Sequence, residues 1–193
     1  RSKKSARHPF AWRRLESCDF SIGFAGSRIP LGSPEALPFA DAAFDAVLSL
    51  TGLHHVSLDR QNAFFAECRR LLRSGGQLLI GEVLAGSKVG AFLNDFVHRH
   101  NSQGHVGVFF DDAFLPRLQA AGFEAARMTV RHYPWRFADE AAMVFYCRNM
   151  FGIDRATDTE ILAGLRDYLD FRTTADGRIE LPWQLVFYQA VKR

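Results

Sequence analysis

The sequence predicts an α/β fold of three layers, in which a mostly parallel sheet lies between two layers of helices. Three observations predict it. Largely apolar segments at residues 46–50 and 77–84 are typical of buried strands. A helical stretch lies between them, which predicts a strand–helix–strand unit with a right-handed crossover. The Asp176-Gly177 turn before an aromatic-rich strand at residues 183–191 predicts an antiparallel last strand.

The helix between the two buried strands spans residues 58–73. Ser57 or Asp59 can cap its start, and Gly75-Gly76 can end it in the left-handed conformation that glycine tolerates. Its apolar stripe consists of Phe64, Cys68, Leu71 and Leu72. The second strand contains Glu82, although acidic side chains are seldom buried without a partner.

The second half of the chain continues to alternate helices and strands. Residues 89–100 form a helix, and a polar loop at 101–108 holds His105. A helix through residues 114–121 precedes an alternating strand at 124–133. Another helix spans 139–150, and the sequence Thr157-x-x-Glu160 is a capping box that opens the last helix.

Composition excludes disordered and membrane-spanning proteins. The 193 residues are 48% hydrophobic and 23% charged, and a chain of this length can bury a core as one domain. No apolar run approaches the roughly 18 residues that a membrane span requires, so we expect no membrane partner. The three cysteines lie far apart without metal or redox spacing, which predicts small buried side chains and a cytoplasmic location.

Residues 1–27 form a basic N-terminal segment, and the main domain spans 28–193. Six of the 24 basic residues lie in the first fourteen positions, which leaves 18 basic against 21 acidic residues elsewhere. Short strands are predicted at 18–24 and 29–31. A basic arm can bind nucleic acid through its phosphates. We favour a solvated terminus and do not expect a nucleic-acid partner.

Several segments resemble a known family in the same order along the chain. G-S-P-E-A-L-P-F and D-A-A-F-D-A-V at residues 32–47 resemble the G-D-A-E-x-L-P-F-x-D-x-x-F-D-x-V stretch of class I S-adenosylmethionine (SAM)-dependent methyltransferases. L-H-H-V at 53–56 is similar to the segment after that family's fourth strand. A-E-C-R-R-L-L-R-S-G-G at 66–76 is similar to the segment before the fifth. The resemblance covers residues 28–130, and the C-terminal third more loosely.

The resemblance implies a Rossmann-like methyltransferase sheet, SAM as cofactor and methyl transfer to a small-molecule acceptor. The sequence also departs from the pattern of that family in two ways. The family's glycine-rich loop and the acid that holds the ribose should lie two strand–helix units earlier, but only six residues separate Gly26 from Ser33. Ser33 stands where the family places the Asp that accepts a hydrogen bond from adenine. We therefore expect a sheet that is incomplete at its N-terminal strands, with a homodimer partner or another chain covering the open part.

The predicted site lies in the loop after the first buried strand, because α/β folds bind ligands at the carboxyl ends of parallel strands. His98 and His100 point to different sides of a helix, so we predict no metal site. The predicted site residues are catalytic His54 and His55, cofactor-binding Ser33, Pro34, Glu35, Thr51 and Gly52, and substrate-binding His98, His100, His105 and Tyr133.

Two alternatives to a small-molecule methyltransferase stay open. A truncated, cofactor-free methyltransferase-like domain would act as an interaction module or be an inactive fragment, and would expose an apolar cleft where strands are missing. A third interpretation uses the basic arm to hold RNA for methylation, and it predicts binding that weakens steeply with salt.

Overall fold

The computed structural model describes residues 33–193, and five strands within them form one open sheet. The strands are β1 (Phe44–Leu50), β2 (Leu72–Glu82), β3 (Phe123–Phe137), β4 (Arg172–Thr173) and β5 (Ile179–Lys192). Their order is β1-β2-β5-β3, with β4 beside β5. The pairing of β1 with β2 is parallel, as predicted, and the pairings of β5 with β2, β3 and β4 are antiparallel. The antiparallel part of the sheet is larger than expected, because β3 is 15 residues long and pairs with β5 along its length.

Helices cover both faces of this sheet. They are α1 (Leu58–Leu71), α2 (Lys88–Ala91), α3 (His98–His100), α4 (Phe114–Ala120), α5 (Glu140–Met150) and α6 (Asp158–Leu169). A π-helical segment, Phe92–Val97, joins α2 to α3, and a 3-10 turn, Leu53–His55, precedes α1. The helix predicted at 89–100 is therefore confirmed as one continuous helical stretch, although its middle turn is wider than an α-helix.

Two hydrophobic cores confirm the three-layer arrangement. Alternate residues of β5 point to opposite faces. Leu181 and Leu185 join a core beneath α5, α6 and the π-helical segment, whereas Val186 and Tyr188 join a core beneath α1 and α4. Each fully buried aliphatic or aromatic side chain contributes about 1.5–3 kcal/mol to folding. The apolar stripe predicted for α1 is buried in full.

The predicted end of the first helix is wrong. α1 ends at Leu71, because Leu72 is already extended and pairs with Phe44 of β1. Gly75 does adopt the left-handed conformation, with φ of 75°, but within an irregular stretch of β2 rather than as a helix cap. The register between β1 and β2 becomes regular from Gln77 onward.

The predicted end of the strand at residue 133 is also wrong. Tyr133, Pro134 and Trp135 all lie inside β3, where they pair with Trp183, Pro182 and Leu181 of β5. Proline cannot donate a hydrogen bond to a ladder, and it is tolerated here because β3 is the last strand of the described sheet. Trp135 stacks on Trp183 with ring centroids 4.1 Å apart, so it packs as a core residue.

Local signals in the last third are confirmed. Asp139 caps α5 by accepting a hydrogen bond from the Ala142 N–H, and Thr157 and Glu160 form the expected capping box at the start of α6. Cys68 and Cys147 are buried, as expected of small apolar side chains, and burial raises the pKa of the Cys147 thiol to about 12.

Some expectations lie outside the described residues, namely the strands at 18–24 and 29–31 and the environment of Cys18. Among residues 33–193, no helix is long and apolar enough to cross a membrane. β1 is the first strand of the described sheet, and its Leu48 and Leu50 side chains are 63% and 55% exposed. Both lie on the same face of the strand, which is the face opposite the core beneath α1.

Candidate active site

The candidate site begins where β1 ends, at the carboxyl edge of the parallel pair. Thr51 adopts a left-handed conformation with φ of 51°, which is strained for a β-branched residue, and its N–H donates to the Gly81 carbonyl at 2.8 Å. The chain then enters the 3-10 turn Leu53–His55. The left-handed conformation of Thr51 turns the backbone so that the next residues lie against the end of β2.

Glu82 is the centre of this arrangement. It is the last residue of β2 and is fully buried. Its Oε1 accepts hydrogen bonds from the N–H groups of Gly52 (2.9 Å) and Leu53 (2.7 Å), while its Oε2 lies 2.6 Å from Nδ1 of His54. One carboxylate therefore holds both the backbone of the turn and the orientation of a buried imidazole.

Three histidines meet beside Glu82. The ring centroid of His54 lies 4.0 Å from that of His55 and 5.7 Å from that of His105, and the last two are 4.9 Å apart. His54 is buried, His105 is half-buried and His55 is exposed. We call these three residues the histidine cluster. The structure thus brings both predicted catalytic histidines together with one predicted substrate residue.

The loop that carries His105 is fixed by backbone and side-chain hydrogen bonds. The Val108 N–H donates to the His54 carbonyl at 3.0 Å. Asn94, in the π-helical segment, donates from Nδ2 to the Gly107 carbonyl (3.0 Å) and accepts at Oδ1 from the Gly107 N–H (3.2 Å). A Cβ at residue 107 would lie 2.8 Å from Cδ2 of His54, so only glycine allows this close approach.

Burial and mutual proximity keep two of these imidazoles neutral. Burial lowers the pKa of His105 to about 4, and the neighbouring His55 and His54 add to the effect. Burial is also the main cause of the lowered pKa of His55, followed by the nearby His54. At neutral pH both side chains therefore offer a nitrogen lone pair rather than a positive charge.

A second set of contacts attaches residues 33–41 to α1. This segment includes the predicted cofactor residues Ser33, Pro34 and Glu35. Glu67 of α1 accepts from the Leu37 N–H at 2.7 Å and from Arg70, which itself donates to the carbonyls of Phe39 and Leu37 and to Asp41. Glu67 is buried, so this ion pair lies under the segment rather than in open solvent. The segment is therefore attached to α1 by one carboxylate and one guanidinium.

Acid should loosen that attachment. The hydrogen bonds from Arg70 are the largest cause of the lowered pKa of Glu67, which ordinarily lies near 4.5. A lowered pKa contributes stability above the ordinary value, and that contribution is lost as the pH falls through the lowered one. We expect the free energy of unfolding to drop below about pH 4.5, and the drop to be smaller in Glu67→Gln. Urea unfolding across this pH range measures it, and identical profiles for the two proteins would contradict the assignment.

Comparisons with known proteins find sequence similarity to methyltransferases. The family model described as a methyltransferase domain matches residues 11–80. The chain is 36% identical over 89 residues to 27-O-demethylrifamycin SV methyltransferase of Amycolatopsis mediterranei, an alignment that covers 46% of this chain and 32% of that protein. Residues 11–80 of the chain are therefore similar to a methyltransferase domain.

Solved structures agree with this methyltransferase fold. The YcgJ protein of Bacillus subtilis superposes with a TM-score of 0.54 at 20% identity, covering 85% of this chain and 70% of that one. A SAM-dependent methyltransferase of Thermotoga maritima gives 0.50 at 19% identity, covering 85% and 63%. At such identities the likeness establishes the fold alone. The chain spans 27–53% of the length of the curated relatives that it matches.

The five residues predicted to bind SAM differ in their exposure. Thr51 and Gly52 are exposed at the carboxyl end of β1, and Ser33 exposes its hydroxyl. Pro34 is buried and supports the turn, whereas Glu35 is already paired with Arg60. Ser33, Thr51 and Gly52 can therefore contact a ligand directly. The roles predicted for all five residues stay predictions.

The remaining predicted substrate residues are not members of the histidine cluster, although His98 contacts the backbone of His105. His98 accepts the His105 N–H at Nδ1 (3.1 Å) and so shapes the loop, while His100 packs on Phe96 with ring centroids 4.6 Å apart. Tyr133 packs in the middle of β3 against the core beneath α5. Their contact with a substrate stays a prediction.

Two residues that organise the candidate site are missing from the predicted set. Glu82 had a sequence signal, since an acid inside an apolar strand needs a partner. Asn94 had none, because its contacts with Gly107 join two segments that no local pattern connects.

Proposed function

We propose that the protein transfers a methyl group from SAM to a small-molecule acceptor at the carboxyl ends of β1 and β2. The observation that carries this proposal is the position of His54, held by Glu82 beside the exposed backbone of Thr51 and Gly52. The match of residues 11–80 to a methyltransferase domain supports the reaction class. The relative named for 27-O-demethylrifamycin SV supports a small-molecule acceptor.

The chain's own residues would bind and orient the reactants. SAM supplies an electrophilic methyl group when it is bound. Ser33 would accept a hydrogen bond from the adenine amine, and Thr51 and Gly52 would line the path toward the methionine end. His54 and His55 would contact the acceptor, because both belong to the cluster that follows the end of β1. In-line transfer requires that the acceptor be held close to the methyl group, and a rigid imidazole serves that purpose.

Calorimetric titration of the 193-residue chain with S-adenosylhomocysteine tests the cofactor site. We expect binding in the micromolar range. Ser33→Ala should weaken it about threefold to tenfold, the loss of one ordinary hydrogen bond. Ser74→Ala is the matched control, since Ser74 is exposed near the amino end of β2, away from the site.

The outcomes separate the proposal from its alternative. Binding that Ser33→Ala weakens and Ser74→Ala does not would support a cofactor site in this chain. A folded sample that does not bind would contradict the proposal. In that case the chain would be a methyltransferase-like domain that serves as an interaction module or is inactive.

A further inference from the structure

We infer that the histidine cluster is a binding site for a divalent transition-metal ion of the zinc type. One ring nitrogen from each of His54, His55 and His105 lies within 4.8 Å of the other two. Three imidazoles are a common ligand set for zinc in proteins, with the fourth position left to water or to a substrate oxygen. This inference stands on the geometry of the three side chains and does not depend on methyl transfer.

Two of the three histidines already have the outer partners that metal-binding histidines have in proteins. Such a histidine usually donates its second ring N–H to a carboxylate or carbonyl oxygen, which fixes the ring and its tautomer. Nδ1 of His54 lies 2.6 Å from the Glu82 carboxylate, and Nδ1 of His105 lies 3.1 Å from Oδ1 of Asn94. Both arrangements leave Nε2 of each ring for a ligand.

The spacing requires a small contraction on binding. Zinc–nitrogen bonds of about 2.0–2.1 Å in a tetrahedral site place two nitrogens roughly 3.4 Å apart. The observed separation of up to 4.8 Å between ring nitrogens therefore has to close by up to about 1.4 Å. His55 can provide that movement because its side chain is exposed, whereas His54 and His105 are held by their partners.

The sequence pattern pointed to different histidines. The spacing His98-x-His100 suggests a pair of metal ligands, but the two side chains point to different sides of the helix. In the structure His98 accepts a backbone N–H and His100 packs on Phe96. The cluster instead combines two adjacent residues after β1 with one residue from a loop fifty positions later. Hydrogen bonds from Val108 to the His54 carbonyl and between Asn94 and Gly107 bring that loop to the cluster.

Titration of the metal-free 193-residue chain with Zn²⁺ and with Co²⁺, in the absence of any nucleotide, tests the site. We expect one ion per chain and the intense visible absorption of four-coordinate cobalt. His105→Ala and His55→Ala should each weaken zinc binding at least tenfold. Asn94→Ala, which removes an outer partner, should weaken it by roughly 10–100-fold.

His132→Ala is the matched control, because His132 is exposed on β3 and distant in sequence from the cluster. It should bind zinc as the wild type does. Circular dichroism of each variant establishes that it is folded. The inference is overturned if the folded wild type does not bind one equivalent, or if His55→Ala and His105→Ala bind as tightly as His132→Ala. Titration with S-adenosylhomocysteine is a separate experiment, so failure of one proposal leaves the other intact.

Discussion

Glu82→Ala should lower the free energy of unfolding by about 3 kcal/mol or more. The carboxylate is fully buried and accepts three hydrogen bonds, two from backbone N–H groups and one from His54. Removing it leaves the buried Leu53 N–H and the His54 ring without an acceptor, and each unsatisfied buried group costs about 1–3 kcal/mol. Urea unfolding followed by tryptophan fluorescence measures the change.

Glu82→Gln separates the two roles of the carboxylate. Its amide oxygen can still accept from Gly52 and Leu53, so we expect a smaller loss of about 1 kcal/mol. Its NH₂ group would face Nδ1 of His54 and favour the other tautomer of that ring. Zinc affinity should therefore fall even in the sample that stays well folded, by roughly 10–100-fold.

The control for this series is Glu124→Ala. Glu124 lies on β3, is 48% exposed and pairs with Arg193 at the surface. An exposed ion pair contributes about 0–1 kcal/mol. If Glu82→Ala destabilises the chain no more than Glu124→Ala does, then the carboxylate does not hold the turn and our description of the site is wrong.

The main parts of the fold followed from the sequence because they depend on local patterns. The apolar runs predicted β1 and β2, and the capping box Thr157…Glu160 predicted the start of α6. The predicted boundaries of elements were wrong where pairing with a neighbouring strand determines the backbone conformation. Leu72 is extended because it pairs with Phe44, and β3 continues through Pro134 because β3 is the last strand of the described sheet, where proline is tolerated.

The site was predictable only in part, for a related reason. His54 and His55 follow directly from a loop after a buried strand. Their partners come from elsewhere: Glu82 from β2, Asn94 from a π-helical turn, and His105 from a loop. No periodicity in the sequence encodes a hydrogen bond between segments so far apart. A buried acid without a visible partner was the single sequence signal that pointed to these contacts.

Leu53→Ala should also be strongly destabilising, with a loss of about 2–5 kcal/mol. Leu53 is 4% exposed and packs into the core beneath α1, so its truncation removes apolar contacts and leaves a cavity. Its N–H donates to Glu82 and its carbonyl accepts from Nε2 of Gln61. Alanine keeps both backbone groups, so the measured loss reports packing rather than hydrogen bonding.

Leu58→Ala is the matched control, since Leu58 begins α1 and is 56% exposed. It should change the free energy of unfolding by less than about 0.5 kcal/mol. Because Leu53 precedes His54, its loss should also loosen the histidine cluster and weaken zinc binding. Equal stability of the two leucine variants would contradict the view that the core fixes the turn.

Combining Leu53→Ala with Glu82→Ala tests whether the packing of Leu53 and the hydrogen bonds of Glu82 depend on each other in fixing the turn. Residues in direct contact are coupled by about 0.5–3 kcal/mol in double-mutant cycles, whereas independent sites add. We expect the double variant to lose less than the sum of its single losses, because either change alone already releases the turn from the end of β2. Leu58→Ala combined with Glu82→Ala should instead be additive. Additivity in both pairs would mean that the core and the carboxylate act on the histidine cluster independently.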